Sequence, residues 1–282
     1  GRFSVPYTLQ FLISIPYVYQ LQTMLWQAGP VVVFGFMGLA MLLTKFRTYQ
    51  SFLIFPVVYF LWQGSWFAKF ARYNVPLLPF LTISAAWLLV FLFQKFSKRK
   101  FHLSICLFVY LFIGVSHALW GVMNWTIYLR PQTRIEASKW IVQNIPSNAQ
   151  IYTEHWNDGL PVYLPGDPVV SYKRELLNVY DADSEEKKRT INTQLEKGGY
   201  IILSTRRIWG TMPRLTDRYP FTSELYRKLL NGESNYMEVA TFTSYPSLFG
   251  FTINDDRAEE SVQVFDHPTV RIFQKKRTLN GR

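Results

Sequence analysis

Residues 66–87 read WFAKFARYNVPLLPFLTISAAW. Lys69 and Arg72 stand at the mouth of a long apolar segment that opens with Pro76 and Pro79, so a membrane helix is predicted to begin just below a charged, aromatic rim. Cations beside a helix start hold a phosphate through charge-assisted hydrogen bonds, while the apolar helix below lies alongside a lipid tail. Arg72, Lys69 and Tyr73 are therefore the candidate lipid-phosphate-binding residues. The alternative is that the two cations only snorkel to lipid headgroups, as outward basic residues do routinely.

Outward from that rim, charge divides the chain into two materials. All 19 Asp and Glu residues of the 282 lie at Glu136 or later, whereas residues 1–123 carry nine Lys or Arg and no acid. The remainder holds 21 basic against 19 acidic residues, which cancels most of the formal charge of +11. A near-neutral domain without a basic stripe gives no reason to expect nucleic acid as a partner, despite the high isoelectric point. Cys106, the single cysteine, sits in an apolar run and excludes a disulfide within the chain. The chain begins at Gly1 without a charged leader region, and the reading is of a C-terminal portion of a longer protein.

Four spans are expected, roughly Trp26 to Leu43, Ser51 to Phe67, Val75 to Gln94 and Phe101 to Met123, each near the roughly 20 residues that cross a hydrocarbon core. Residues 1–25 are broken by Pro6 and Pro16 and laced with tyrosines and glutamines, which suits an interfacial or outer-loop segment. Lys45, Arg47, Lys95, Lys98, Arg99 and Lys100 fall in the loops on one side, which should be the cytoplasm. The rim and everything after Met123 then face outward, placing a multi-pass protein in the cell membrane.

After Arg130 the pattern becomes that of an extracytoplasmic α/β domain over residues 124–276, with a tail at 277–282. Thr133 with Glu136 reads as a capping box, and Asp183 with Glu186 as a second helix start. The strands AQIYTE (149–154) and YIILST (200–205) each follow a helix, so a mostly parallel sheet covered by helices is expected. A third helix near 223–230 and strands at 237–243 and 270–274 complete the domain.

The rim FARYNVPLLPFLTISAAWLL (70–89), one further span, and RIEASKWIVQNIPSNAQIYTEHWNDGLPVYL (134–164) together resemble the C-terminal half of GT-C glycosyltransferases of the protein O-mannosyltransferase-like and aminoarabinose-transferase-like kind, including the YYY-type membrane proteins. YDADSEEKK (180–188), TFTSYPSLFGFTINDDRAEES (241–261) and VFDHPTVRIF (264–273) are similar to that group's exterior domain. The resemblance implies transfer of a sugar from a polyprenyl-phosphate carrier, the donor substrate, to a protein or glycan acceptor outside the membrane, with Arg72 on the carrier phosphate. It also implies a catalytic carboxylate in the first outer loop of the whole enzyme. Residues 1–135 contain none, so no catalytic residue is assigned in this chain. The alternative is a non-catalytic membrane protein whose exterior domain binds glycans or a partner enzyme.

A lesser candidate lies in that domain. Glu154, His155 and Asp158 follow a strand end, where α/β sheets place ligands, and Arg206 and Arg207 follow the next. The loop can be read as a sugar site or as a purely hydrogen-bonded turn. One histidine among mixed acids lacks metal-ligand spacing, so no metal site is assigned; the lipid-linked sugar is the donor substrate, and dependence on a divalent metal is left open by the sequence.

Overall fold

The computed structural model describes residues 6–96 and 100–276. The loop cations Lys98 and Arg99, residues 1–5 and the expected tail at 277–282 lie outside the described residues. The chain divides into two compact units that do not follow chain order: a helical unit of residues 11–127 and 246–262, and a sheet unit that takes 128–245, the chain from 263 and the residues up to 10.

In the helical unit, α1 (Val18–Ala28), α2 (Val31–Leu43), α3 (Phe46–Gly64), α4 (Leu78–Phe96) and α5 (Lys100–Trp125) follow one another. A 3-10 turn, Ala71–Leu77, leads into α4. Pro79 is the second residue of α4, where a missing N–H costs no intrahelical bond, whereas Pro76 lies inside the 3-10 turn. α2 and α4 approach backbone to backbone at Gly35 and Gly38. A β-carbon on Gly38 would stand 2.1 Å from the Ser84 carbonyl oxygen, and one on Gly35 would stand 2.6 Å from that of Leu81. Small residues at such crossings let apolar helices pack without a hydrophobic driving force. Gly38→Val is therefore expected to force the pair apart and cost about 1–3 kcal/mol, read as a lower thermal midpoint of the full chain in detergent.

The expectation of about four membrane helices is overturned. Among the described residues two helices are long and apolar enough to cross a membrane, Ala71–Phe96 with 26 residues and Leu107–Asn144 with 38. They overlap the third and fourth expected spans. The first expected span is split at Gly29, whose φ is +64°, and Pro30, leaving α2 with 13 residues. That length reaches about 20 Å, short of the roughly 30 Å hydrocarbon core. The second expected span is α3, whose first turns carry Arg47, Thr48, Gln50 and Ser51, with Pro56 inside and Gln63 at its end.

The sheet unit contains β1 (Gln150–Glu154), β2 (Lys173–Leu177), β3 (Tyr200–Leu203), β4 (Tyr236–Phe242) and β5 (Val270–Lys275), in the order β2-β1-β3-β5-β4. β1 pairs in parallel with β2 and β3, but β5 runs antiparallel to both β3 and β4. The mostly parallel sheet expected from two helix-then-strand units is thus corrected to a mixed sheet. A strand's direction is set by the connection that delivers it, and β5 returns into the sheet after the excursion of residues 246–262 into the helical unit. α6 (Thr133–Asn144) covers one face with Ala137, Ile141 and Ile145 packed on Ile151, Ile202 and Ile272. α7 (Glu185–Glu196) and α9 (Pro220–Leu230), with the single turn α8 (Arg206–Trp209) between them, bury Ile191, Ile208, Tyr226 and Leu229 with Tyr152, Leu203 and Phe273.

Two helix starts differ in detail from the sequence reading. Thr133 is the first helical residue of α6 and its hydroxyl donates to the Pro268 carbonyl at 2.5 Å, the N-cap position falling to Gln132. At α7 the cap is Ser184, whose Oγ accepts the Lys187 N–H at 3.1 Å. Asp183 instead accepts the Phe221 and Thr222 N–H groups at the start of α9, at 2.7 and 3.1 Å.

Candidate functional site

The rim forms where α3 ends and the 3-10 turn begins. Arg72 is exposed, its guanidinium lying over the Phe70 and Tyr73 rings at 4.7 and 5.4 Å. No carboxylate among the described residues lies within ion-pair distance of it. Tyr73 is half-buried: its ring meets Trp66 and Phe70 edge-on, and its carbonyl accepts the Tyr59 hydroxyl at 2.8 Å. The guanidinium thus packs against two aromatic rings. Lys69 behaves differently. It is 3% exposed, its amine donates to the Phe67 carbonyl at 3.0 Å beneath the Phe11 and Phe67 rings, and burial lowers its pKa.

Three further residues of the helical unit build this rim. Glu259 returns from 188 residues along the chain, and its Oε2 accepts the Ala71 N–H at 3.1 Å, next to Arg72. Gln27 on α1 donates to the Ala71 carbonyl at 2.9 Å, and Asn74 donates to the Gln27 Oε1 at 3.4 Å. Both backbone groups of Ala71 are thus held by side chains. Below the rim, an apolar cleft of about 230 Å³ opens between α2, α3 and α4, lined by Phe36, Leu39, Phe60, Leu61, Leu77 and Leu81 among others.

The second candidate set lies in the sheet unit, at the C-terminal ends of the parallel strands. Glu154 closes β1 and is fully buried; Tyr226 on α9 donates to its Oε1 at 2.5 Å and Asn157 Nδ2 to its Oε2 at 2.5 Å. Burial pushes the Glu154 carboxyl up to about 8, against the opposing pull of these two donors and of Arg207. Asn157 Oδ1 accepts from the Thr205 hydroxyl at 3.1 Å, and Arg207 donates to the Trp156 carbonyl at 3.2 Å. Asp158, at the exposed side of the loop, pairs with Arg134 of α6 at 3.2 Å. His155 lies beside Trp156, ring centroids 5.3 Å apart, and Arg206 turns away to Gln263 at 3.3 Å.

The structure therefore brings Glu154, His155, Asp158 and Arg207 to one loop, with Arg206 directed elsewhere. No protein-family model, curated protein or solved structure matches the chain. Among the described residues no group of three or more His, Cys, Asp or Glu side chains is placed to hold a metal ion.

Sequence reasoning missed Glu259, Gln27 and Asn74 at the rim, and Arg134, Thr205 and Tyr226 at the loop. A signal existed for α1: Gln20 and Gln27 are seven residues apart, which puts both on one helical face. Gln20 donates to the Gly64 carbonyl at 3.1 Å on that same face. Nothing local marks Glu259 or Tyr226, whose partners are distant in the chain.

Proposed function

We propose that the helical unit holds the phosphate of a polyprenyl-phosphate-linked sugar at the outer surface of the cell membrane. In this reading the chain is the carrier-binding and exterior part of an integral-membrane glycosyltransferase. The observation that carries it is Arg72: an exposed guanidinium, packed on two rings and with no carboxylate among the described residues in ion-pair reach, at the head of an apolar 26-residue helix. A planar fork of this kind binds phosphate oxygens in pairs, which a lysine amine does not. The apolar cleft beside Leu77 and Leu81 offers the carrier's hydrocarbon chain a place next to that phosphate.

A membrane setting is supported by α5. Leu107, Phe108, Leu111, Phe112 and Val115 are all more than half exposed, and an apolar helix not covered by protein calls for lipid. With two crossings, Lys95 and Lys100 bracket the connecting loop on the cytoplasmic side, so the rim and the sheet unit lie outside. The acceptor is then a glycan or protein outside the cell. No residue of this chain is assigned the role of base.

The test is binding of polyprenyl phosphate to the full chain in lipid nanodiscs. Arg72→Ala should weaken it at least tenfold, Arg72→Lys by an intermediate amount, and Lys69→Ala least. Equal weakening toward phosphatidylglycerol would indicate general headgroup attraction. Unchanged polyprenyl-phosphate binding by Arg72→Ala would remove the proposal.

A further inference from the structure

Trp156, in the loop after β1, carries an exposed ring on a constrained backbone. Its φ is +71°, a conformation that bulky residues rarely adopt, and it persists only where the surroundings over-determine it. Those surroundings are explicit. The His155 N–H donates to the Leu177 carbonyl at 3.0 Å, Arg207 holds the Trp156 carbonyl at 3.2 Å, Asn157 is bonded to Glu154 and Thr205, and Asp158 is paired with Arg134. Both sides of Trp156 are pinned, yet the residue is 57% exposed.

We propose that this loop is a carbohydrate-binding platform on which the Trp156 indole stacks against the C–H face of a pyranose. A pre-set aromatic gives contact area with little ordering cost, which suits a ligand presenting one apolar face. The neighbouring polar groups suit the ligand's other half. Asp158 is exposed and uses only Oδ2 on Arg134, leaving Oδ1 for a hydroxyl, and the His155 imidazole lies beside the indole. The Asp158 charge is matched by Arg134, so its remaining oxygen suits a ligand hydroxyl better than a bare cation. The platform is independent of the rim reading. It serves acceptor recognition in a transferase and glycan recognition in a non-catalytic protein alike.

The experiment uses the full chain in detergent with cellotriose, a flat-faced β-linked pyranose trisaccharide, read by saturation-transfer NMR and calorimetry. Binding with a Kd on the order of 1 mM is expected, with transfer strongest to the sugar's C–H protons. Trp156→Gly separates ligand binding from support of the fold, because glycine adopts the left-handed backbone without strain. The variant should match or exceed the wild type in hydrogen-exchange protection of β3 while losing cellotriose binding at least tenfold. Asp158→Asn should weaken binding about threefold or more and leave stacking intact. Three outcomes overturn the proposal: wild-type affinity in Trp156→Gly, no wild-type binding up to about 20 mM, or loss of β3 protection in Trp156→Gly, which would make the indole a structural group.

Discussion

Replacing Lys187 by methionine is expected to destabilise the sheet unit by about 3–5 kcal/mol, because it leaves a buried carboxylate without its cation. The Lys187 and Asp183 side chains are 5% and 10% exposed, and their atoms lie 2.8 Å apart. The amine also donates to the Val179 and Asp181 carbonyls at 3.0 and 2.6 Å and to the Thr222 hydroxyl at 2.6 Å, so three N–H bonds are shared among four acceptors. Burial alone would push Asp183 up, but the hydrogen bonds from Lys187 and Thr222 outweigh it and hold the carboxyl below its usual range. Asp183 in turn receives the first N–H groups of α9, which makes this pair the joint between the start of α7 and the start of α9. Hydrogen exchange of the amides of Tyr200–Leu203 reads the stability of this unit directly, since strand amides at the centre of a sheet open only with the whole unit. The Asp183→Asn, Lys187→Met double variant should lose less than Lys187→Met alone, because the neutral amide still accepts from α9 and no charge is stranded. A loss below about 1 kcal/mol in the single variant would show that the backbone donors of α9 suffice to hold Asp183.

Lys187 also shows what a sequence conceals. Asp183 and Ser184 are adjacent and either can cap a helix; which one does so depends on α9, nearly forty residues later, whose N–H groups claim Asp183. The same limit applies at the rim. Arg72 and the apolar helix after it are legible from residues 66–87 because a proline pair, a cation and an apolar run are all local signals. Glu259 is not legible there, since residues 246–262 leave the sheet unit and join the helices only through the tertiary fold. The mixed sheet follows from that excursion as well: the β-branched character of Val270–Lys275 marks a strand but carries no direction. Counting spans from hydropathy failed where length and polarity had to be judged together, in the 13 residues of α2 and the polar first turns of α3. At the loop after β1, the residue types were legible, whereas the left-handed turn at Trp156 and the burial of Glu154 arise from packing by α9 and the residues after β3.

Glu154 sets the second large effect, a stability that falls as pH rises. Its carboxyl titrates near 8 in the folded protein and near 4.5 when free, so the folded state binds the proton more tightly. Below about 4.5 both states are protonated and the contribution is fully present; between 4.5 and 8 only the unfolded state ionises, and stability declines. The total decline is about 5 kcal/mol, with little further loss above pH 8. The charged group facing Glu154 is Arg207 and the titratable one is Tyr226, whose hydroxyl burial pushes well above its ordinary value, so neither changes charge in this window. Asp183, held low, contributes with the opposite sign and only at acid pH, outside the same window. Glu154→Gln should flatten the profile between pH 5 and 8 while preserving the loop, since its amide oxygen still accepts from Asn157 and its amide nitrogen can donate to the Tyr226 hydroxyl oxygen. Denaturant titrations of wild type and variant at several pH values check this. A wild-type profile that is level from pH 5 to 8 would mean that the Tyr226 and Asn157 hydrogen bonds stabilise the ionised carboxylate enough to cancel its burial.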